Sequence, residues 1–224
     1  MIDRYINNKI NAIWNDQNRF DTWKLIQEKY VETLEQLKIA EAGIAKKILE
    51  AEVSKEEVYK QEEVTNHDLA SFVDILQKKV GEGSNWVHYG LTSSDIVDSA
   101  NSLLIIQSIE VAQELILNLL KELKLKAIKN KDTKIIGRTH GVYAEETFLG
   151  NIFGNWYLEI KRSLDRLERA KVSIAYGKLS GPVGNHTVVT EEMEKITLEK
   201  LGLKPEIFAS QIVSRDRYAE VFTS

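Results

Sequence analysis

Two long stretches without proline constrain the fold of this chain most strongly. Residues 96–130 and 145–176 each carry a helical pattern longer than that of a typical globular helix, and the only prolines in the chain are Pro182 and Pro205. Hydrophobic residues make up 43% of the chain and charged residues 29%, which favours helices over the turn-dense pattern of an all-β protein. We predict an all-α protein in which these two stretches form helices of bundle length.

The part of the chain before these stretches reads as several shorter helices. Apolar residues recur at three- and four-residue steps over residues 21–41, and Gly43 ends the pattern. Residues 54–57 form a capping box, and Thr65 or Asn66 can cap the helix that follows. We predict a small helical domain over residues 1–90, followed by the first part of an elongated long-helix bundle domain over residues 91–224.

Composition narrows the classes of function. The chain has no cysteine, which excludes disulfides and cysteine-rich zinc sites and fits a reducing cytoplasm. A net charge of -4 leaves no broad basic surface for nucleic acid. The N-terminus lacks the pattern of a signal peptide, and no apolar run approaches the ~18 residues of a membrane span. We expect a soluble, cytoplasmic protein that binds neither nucleic acid nor membranes.

The sequence WVHYGLTSSDIVDSA at residues 86–100 predicts an anion-binding site. Thr92, Ser93 and Ser94 offer hydroxyl groups, and Ser94 or Asp95 can cap a helix that begins at residue 96, so hydroxyls and free backbone N–H groups would point the same way. The TSSD sequence alone favours an ordinary capped helix. The neighbouring histidine and glycine at positions 88 and 90 favour a site for a carboxylate or phosphate.

Three histidines lie in similar local sequences. His67 and His140 each adjoin a small or acidic polar residue, and His88 lies two residues before Gly90. All three lie at expected helix boundaries, which are unusual places for a core side chain. A single histidine is more often structural than catalytic, but three such positions predict a shared polar site. Their spacing is not that of metal ligands, so we expect acid–base and anion-binding roles and no metal.

Several blocks of the sequence resemble one family. The run VHYGLTSSDIVDSA resembles a motif of the adenylosuccinate lyases, purine-pathway members of the aspartase and fumarase superfamily. The RTHG block at residues 138–141 would by itself indicate only the superfamily. The resemblance covers essentially the whole chain, because further blocks follow in the family's order: Arg4-Tyr5, Asn66-His67-Asp68, residues 137–141, residues 177–184 and residues 211–217.

The resemblance implies a β-elimination that releases fumarate and needs no cofactor. The expected substrates are adenylosuccinate, which gives AMP, and the succinylated imidazole carboxamide ribotide SAICAR, which gives AICAR. The reaction needs a base, an acid for the departing nitrogen and fixed donors for the charge on the carboxylate. By the family's pattern His140 is the acid, and we assign His67 to catalysis as well. The intact enzyme is expected to be a homotetramer whose active sites draw on several subunits.

The resemblance also implies the substrate-binding residues. The succinyl carboxylates are assigned to Thr92, Ser93 and Thr139, the nucleotide to Asn66, His67, Asp68 and His88, its phosphate to Arg4 and Tyr5, and one more contact to Gln211. Without the resemblance, an arginine at position 4 is more often a solvated terminal residue. Arg215 and Arg217 either bind phosphate or pair with nearby acids, and His186 is expected at the surface.

Two features depart from the family's pattern. After RTHG the chain reads VYAEETFLGN where the family commonly has a proline and a T-T-F-G run, so Glu146 and Leu149 are atypical. The family's base is a serine on a flexible loop with the pattern S-S-x-M-P-x-K-x-N-P, and that pattern does not occur before Ser224. We expect the chain to be the N-terminal portion of such an enzyme, inactive by itself and prone to associate.

Two other functions stay open. A sister lyase acting on argininosuccinate, aspartate or malate would share the helical architecture and the elimination chemistry, although VHYGLTSSD argues against it. A helical assembly module that kept the fold without the catalytic loop is compatible with the composition. That module would leave the polar residues at the helix junctions without an evident use.

Overall fold

Residues 3–224 are described by a computed structural model and are mostly helical, which confirms the predicted all-α class. The helices are α1 (Asn8–Trp14), α2 (Asp16–Gln36), α3 (Ile44–Glu50), α4 (Lys55–Thr65), α5 (Asp68–Val80), α6 (Ser93–Lys129), α7 (Leu149–Ile174), α8 (Glu191–Lys200) and α9 (Asp216–Phe222), with 3-10 turns at Asp3–Tyr5 and Ser84–Trp86. The strands are β1 (Lys134–Thr139), β2 (Val142–Phe148), β3 (Tyr176–Gly177) and β4 (Lys204–Pro205). β1 pairs with β2 in antiparallel fashion, and β3 pairs with β4 in parallel.

The chain divides into two compact units. The first holds the residues up to Gln107 together with Ile174–Arg217, and the second holds Ser108–Ser173 with Tyr218–Ser224. The division that we expected at residue 90 stays a prediction.

Helix α2 supplies the centre of the first unit's core. Its Phe20 and Trp23 rings are buried and contact Phe72 of α5, with ring centres 6.0 and 5.6 Å apart. The helix spans Asp16–Gln36 instead of residues 21–41. It starts early because Asn15 accepts the backbone N–H of residue 18 at 2.9 Å, and it ends early because the chain turns at Lys38, whose φ is 60°.

The helix caps around residue 60 were predicted in part. The capping box at residues 54–57 is confirmed. The cap of α5, however, is His67 and neither Thr65 nor Asn66, because the His67 Nδ1 accepts the Ala70 N–H at 3.4 Å. Asn66 instead ends α4 in a left-handed conformation with a φ of 52°, which asparagine tolerates better than most residues.

The RTHG block forms a β-hairpin that was not predicted. Thr139 of β1 pairs with Val142 of β2, so His140 and Gly141 form a two-residue turn with φ angles of 53° and 77°. Positive φ at both positions is typical of the type I′ turn, whose twist matches that of the flanking strands. The helix that we predicted from residue 145 therefore begins only at Leu149, and His140 lies at a hairpin tip instead of a loop–helix junction.

Helix α6 is strongly apolar. Among residues 3–224, it is the one helix with an 18-residue window of mean hydropathy 1.6, and by length and composition alone it is able to cross a membrane. The expectation that no apolar run approaches the length of a membrane span was therefore wrong when mean hydropathy is the measure. One such helix is weak evidence for a membrane span, because a helix that packs against other helices has a similar composition.

Gly150 and Gly154 lie four residues apart on α7, and their surroundings differ. A Cβ atom at Gly150 would lie 2.6 Å from the Ala127 carbonyl oxygen and 2.8 Å from the Cα of Lys131. A Cβ atom at Gly154 would meet nothing within 4 Å. The backbone around the end of α6 therefore approaches α7 closely at Gly150 and not at Gly154.

This pair predicts opposite effects of the same substitution. Gly150→Ala should lower the free energy of unfolding by about 1–3 kcal/mol, because the new methyl group collides with backbone. Gly154→Ala should raise it by roughly 0.5–1 kcal/mol, because alanine favours the helix. Urea unfolding followed by far-ultraviolet circular dichroism measures both. Equal midpoints for the two variants would show that the approach at Gly150 does not exist.

Candidate active site at the start of helix α6

The candidate site is built around the first turn of α6. The helix begins at Ser93 and not at Ile96, and neither Ser94 nor Asp95 occupies the capping position as predicted. Asp95 lies within the first turn, where its Oδ2 accepts the Thr92 N–H at 2.8 Å. Hydroxyl groups at residues 92–94 therefore lie at the positive end of a 37-residue helix, an environment that favours an anion.

A buried ion pair fixes this turn. The side chains of Asp95 and Lys178 are both 0% exposed, and the Lys178 Nζ donates to the Asp95 Oδ1. The same Nζ donates to the Gly181 carbonyl oxygen at 2.9 Å, and the Gly181 N–H donates to the Asp95 Oδ2 at 3.2 Å. Burial raises the pKa of the Asp95 carboxyl, and the Lys178 ammonium opposes that rise.

Two further side chains hold the segment that carries Lys178. The Ser99 Oγ of α6 exchanges hydrogen bonds of 3.2 Å with the backbone N–H and carbonyl oxygen of Lys178. The Glu194 Oε1 of α8 accepts the Leu179 N–H at 2.7 Å. Glu194 also lies 3.7 Å from the Nε2 of His186, whose side chain is only 24% exposed. His186, expected at the surface, is thus partly buried.

The structure brings three of the predicted site residues together. The His67 Nε2 lies 3.3 Å from the Ser93 Oγ, and the His67 Nδ1 lies 3.4 Å from Asp68. Burial, and then the nearby His67, lowers the pKa of His88 to about 4. His88 is therefore neutral at pH 7. Asn66 precedes His67 in an exposed position at the end of α4.

Other predicted residues lie elsewhere. Arg4 and Tyr5 are exposed in a 3-10 turn, with the guanidinium carbon 4.9 Å from the ring centre of Tyr5. Gln211 is an exposed residue of the first unit. Thr139 and His140 are exposed at the hairpin of the second unit. Within the first unit, the structure thus gathers only part of the predicted set.

The two C-terminal arginines form ion pairs with acids distant in the sequence. Arg215 pairs with Asp98 of α6 at 3.0 Å, and Arg217 pairs with Glu206 at 2.9 Å. The guanidinium carbon of Arg217 also lies 3.7 Å from the ring centre of Tyr176. These contacts join the C-terminal segment to the rest of the first unit. Pairing with acids was one of the two alternatives left open for these arginines, but Asp98 and Glu206 are not the nearby acids that were expected.

Gln27 is a site residue that the sequence analysis missed. It is fully buried on α2, its Oε1 accepts the His88 N–H at 2.9 Å, and its Nε2 lies 2.9 Å from the His88 Nδ1. Tyr30, one turn further along, donates its hydroxyl to the Tyr89 carbonyl oxygen at 2.8 Å. A signal was present, because Gln27 lies between Trp23 and Tyr30 on the apolar stripe of α2, where a buried amide needs partners.

These groups suit an oxyanion better than a cation. The first turn of α6 offers hydroxyl and amide donors, and two imidazoles lie beside it. Among residues 3–224, no group of three or more His, Cys, Asp or Glu side chains is placed to hold a metal ion.

Comparison with known proteins gives the family. The family model described as lyase matches residues 7–224. The chain belongs to this lyase family. Adenylosuccinate lyase of Thermotoga maritima is 39% identical to it over 220 residues, which are 98% of this chain and 51% of the relative. Adenylosuccinate lyase of Bacillus subtilis is 37% identical over 221 residues, again 98% of this chain and 51% of the relative. The chain thus spans about half the length of these relatives.

Solved structures support the fold of this chain. A fumarate lyase from a Mesorhizobium species matches with a TM-score of 0.90 and 20% identity, covering 97% of this chain and 53% of that one. The 3-carboxy-cis,cis-muconate lactonizing enzyme of Pseudomonas putida matches with a TM-score of 0.91 and 18% identity, covering 98% and 52%. Identities this low establish a shared fold only.

The buried ion pair predicts a large effect of one substitution. Lys178→Met should lower the free energy of unfolding by about 3–5 kcal/mol, because it leaves the Asp95 carboxylate buried without its partner. Lys171→Met is the matched control, since the Lys171–Glu110 pair is 34% and 54% exposed. That control should cost less than about 1 kcal/mol. Urea unfolding measures both, and comparable losses would contradict a special role for the buried pair.

Proposed function

We propose that this chain is the N-terminal portion of an adenylosuccinate lyase, a carbon–nitrogen lyase. The intact enzyme would eliminate fumarate from adenylosuccinate to give AMP and from SAICAR to give AICAR. The observation that carries the proposal is the identity of 35–39% to proteins named adenylosuccinate lyase, which extends over essentially the whole chain. The polar cluster at the start of α6 supports it, because both substrates carry carboxylates and a phosphate.

The first turn of α6 would bind a succinyl carboxylate. The hydroxyls of Thr92 and Ser93 and the helix-end amides are donors already in place, and such preorganised donors stabilise the charge that develops on carboxylate oxygens. The His67 Nε2 lies at hydrogen-bond distance from the Ser93 Oγ and would orient that hydroxyl. Thr139 is proposed as a further carboxylate contact.

His140 is proposed as the general acid that protonates the departing nitrogen. It lies in the two-residue turn at the tip of the hairpin, and it is exposed. A positioned acid of this kind typically contributes about 10²–10⁴-fold to a rate. Arg4 and Tyr5 are proposed for the phosphate, Gln211 for a further substrate contact, and Asn66, Asp68 and His88 for the nucleotide.

A homotetramer is part of the proposal. Both helices of bundle length expose large apolar side chains, which in a folded assembly would be covered by other helices. These side chains are 44–64% exposed: Leu115, Leu117, Leu119, Leu125, Ile128, Trp156, Leu158 and Val172. We accordingly expect the chain by itself to associate and to lack activity.

A chimera tests the proposed reaction. Residues 1–224 are fused to the C-terminal half of the Thermotoga maritima relative, and the loss of ultraviolet absorbance from adenylosuccinate is followed. We expect turnover, and we expect His140→Ala to lower kcat by about 10²–10⁴-fold because the leaving nitrogen loses its acid.

Lys134→Ala is the control for the hairpin. Lys134 lies on β1 and forms an exposed ion pair with Glu146 at 2.8 Å, so its loss should change kcat by less than about twofold. A folded chimera that turns over neither succinylated nucleotide would contradict the proposed function. A chimera whose activity survives His140→Ala would contradict the role of His140.

A further inference from the structure

We propose that Gln27 is a positioning residue that holds His88 in the neutral tautomer with the proton on Nε2, so that His88 presents a fixed hydrogen-bond donor to the substrate. The identity of that substrate rests on the proposed function, whereas the tautomer does not. In this assignment His88 orients an acceptor oxygen or nitrogen of the ligand and takes no part in proton transfer.

The orientation of the Gln27 amide follows from its partners. The His88 backbone N–H can only donate, so the atom of Gln27 that faces it at 2.9 Å must be the carbonyl oxygen Oε1. The amide nitrogen Nε2 then faces the His88 Nδ1 at 2.9 Å, and this nitrogen can only donate. Nδ1 must therefore accept. A neutral imidazole with an accepting Nδ1 carries its proton on Nε2.

The same contact opposes a protonated ring. An imidazolium would present a second N–H at Nδ1, directly against the donating amide of Gln27, which is fully buried and has no room to turn away. His67 is the ionisable neighbour on the α5 side and would repel a second positive charge. The lowered pKa of His88 agrees with both effects. His88 thus stays neutral wherever the enzyme is expected to work.

Side chains from two helices hold the turn that carries the ring. His88 has a φ of 64°, a left-handed conformation that is uncommon outside glycine and that the surroundings must maintain. Tyr30 of α2 donates to the Tyr89 carbonyl oxygen at 2.8 Å, and Gln77 of α5 donates to the Val87 carbonyl oxygen at 3.4 Å. The ring is therefore fixed in position as well as in tautomer.

The remaining ring nitrogen is available to a ligand. In the described part of the chain, residues 3–224, the hydrogen bonds of the His88 ring involve Nδ1 only. His67 is close enough to His88 to influence its charge, and the Ser93 Oγ lies 3.3 Å from the His67 Nε2 at the start of α6. A donor at Nε2 adds to the hydroxyl and amide donors there, so the site would recognise a ligand through acceptor groups.

The tautomer can be measured directly in the 224-residue chain. Two-bond proton–nitrogen correlation spectra of the 15N-labelled protein distinguish the two neutral tautomers and the imidazolium of each histidine. Each of the four histidines is assigned from the signal lost in its own His→Gln variant. We expect His88 to show the Nε2–H form without titration from pH 5.5 to pH 8.

Gln27→Glu should reverse the tautomer. A carboxylate can only accept, so Nδ1 must then carry a proton, and the negative charge should raise the pKa of His88 by more than about one unit, a tenfold change in the ratio of imidazolium to imidazole. Gln77→Met is the matched control: it removes a side-chain amide bonded to the same turn without touching the ring. That control should leave the His88 spectrum unchanged.

An Nδ1–H tautomer in the unmodified chain, or a pKa of His88 near that of a free histidine, would overturn the proposal. If the Gln27→Glu variant does not fold, the proton–nitrogen spectrum of the unmodified chain is sufficient to test the tautomer. Activity separates this inference from the proposed function. If the chimera turns over neither nucleotide but His88 shows the Nε2–H form, the positioning role of Gln27 stands and the proposed function is contradicted. In an active chimera, Gln27→Glu should raise KM at least about tenfold, whereas Lys134→Ala, which removes only an exposed ion pair, should change it by less than about twofold.

Discussion

The buried ion pair between Asp95 and Lys178 is the contact on which the rest of the site depends. It joins residues 83 positions apart and fixes the first turn of α6 against the segment that follows α7. Charges removed from water stabilise a fold only when further hydrogen bonds satisfy them, and here the Asp95 Oδ2 accepts two backbone N–H groups while the Lys178 ammonium donates to a backbone carbonyl. The position of Ser93 next to His67 follows from this arrangement.

Other polar contacts in the first unit also join distant segments. The Thr197 hydroxyl of α8 donates to the Thr33 hydroxyl of α2 at 3.0 Å, and the Ser102 hydroxyl of α6 donates to the Tyr176 carbonyl oxygen at 2.7 Å. Apolar packing tolerates small sliding movements, whereas a buried hydrogen bond that is displaced costs about 1–3 kcal/mol. Apolar packing therefore stabilises the first unit, and these polar pairs fix how its segments are aligned along one another. A preorganised anion site would require that alignment.

The sequence predicted the helices that follow from the periodicity of apolar residues. It did not predict the features that depend on contacts between distant residues. Helix α6 was found to within a few residues because its helical pattern is long, and the start of α4 was found because of its capping box. The hairpin at His140 was missed, since it is short, largely exposed and defined by the backbone angles of two residues. The cap at His67 and the partner of Asp95 depend on three-dimensional neighbours. Gln27 could have been found, because an amide on an apolar stripe implies a buried acceptor and donor nearby.

Three of the four histidines have positive φ angles, and different contacts maintain these backbone conformations. His88 is held at 64° by Gln27 of α2, and His186 is held at 55° by its N–H bond of 3.1 Å to the Ser180 carbonyl oxygen. His140, at 53°, is set by the hairpin turn itself, and its ring is exposed. A general acid must be held within reach of the proton that it transfers. Under the proposed function, the groups that hold the His140 ring would therefore come from whatever packs against the hairpin, and this agrees with the proposed homotetramer.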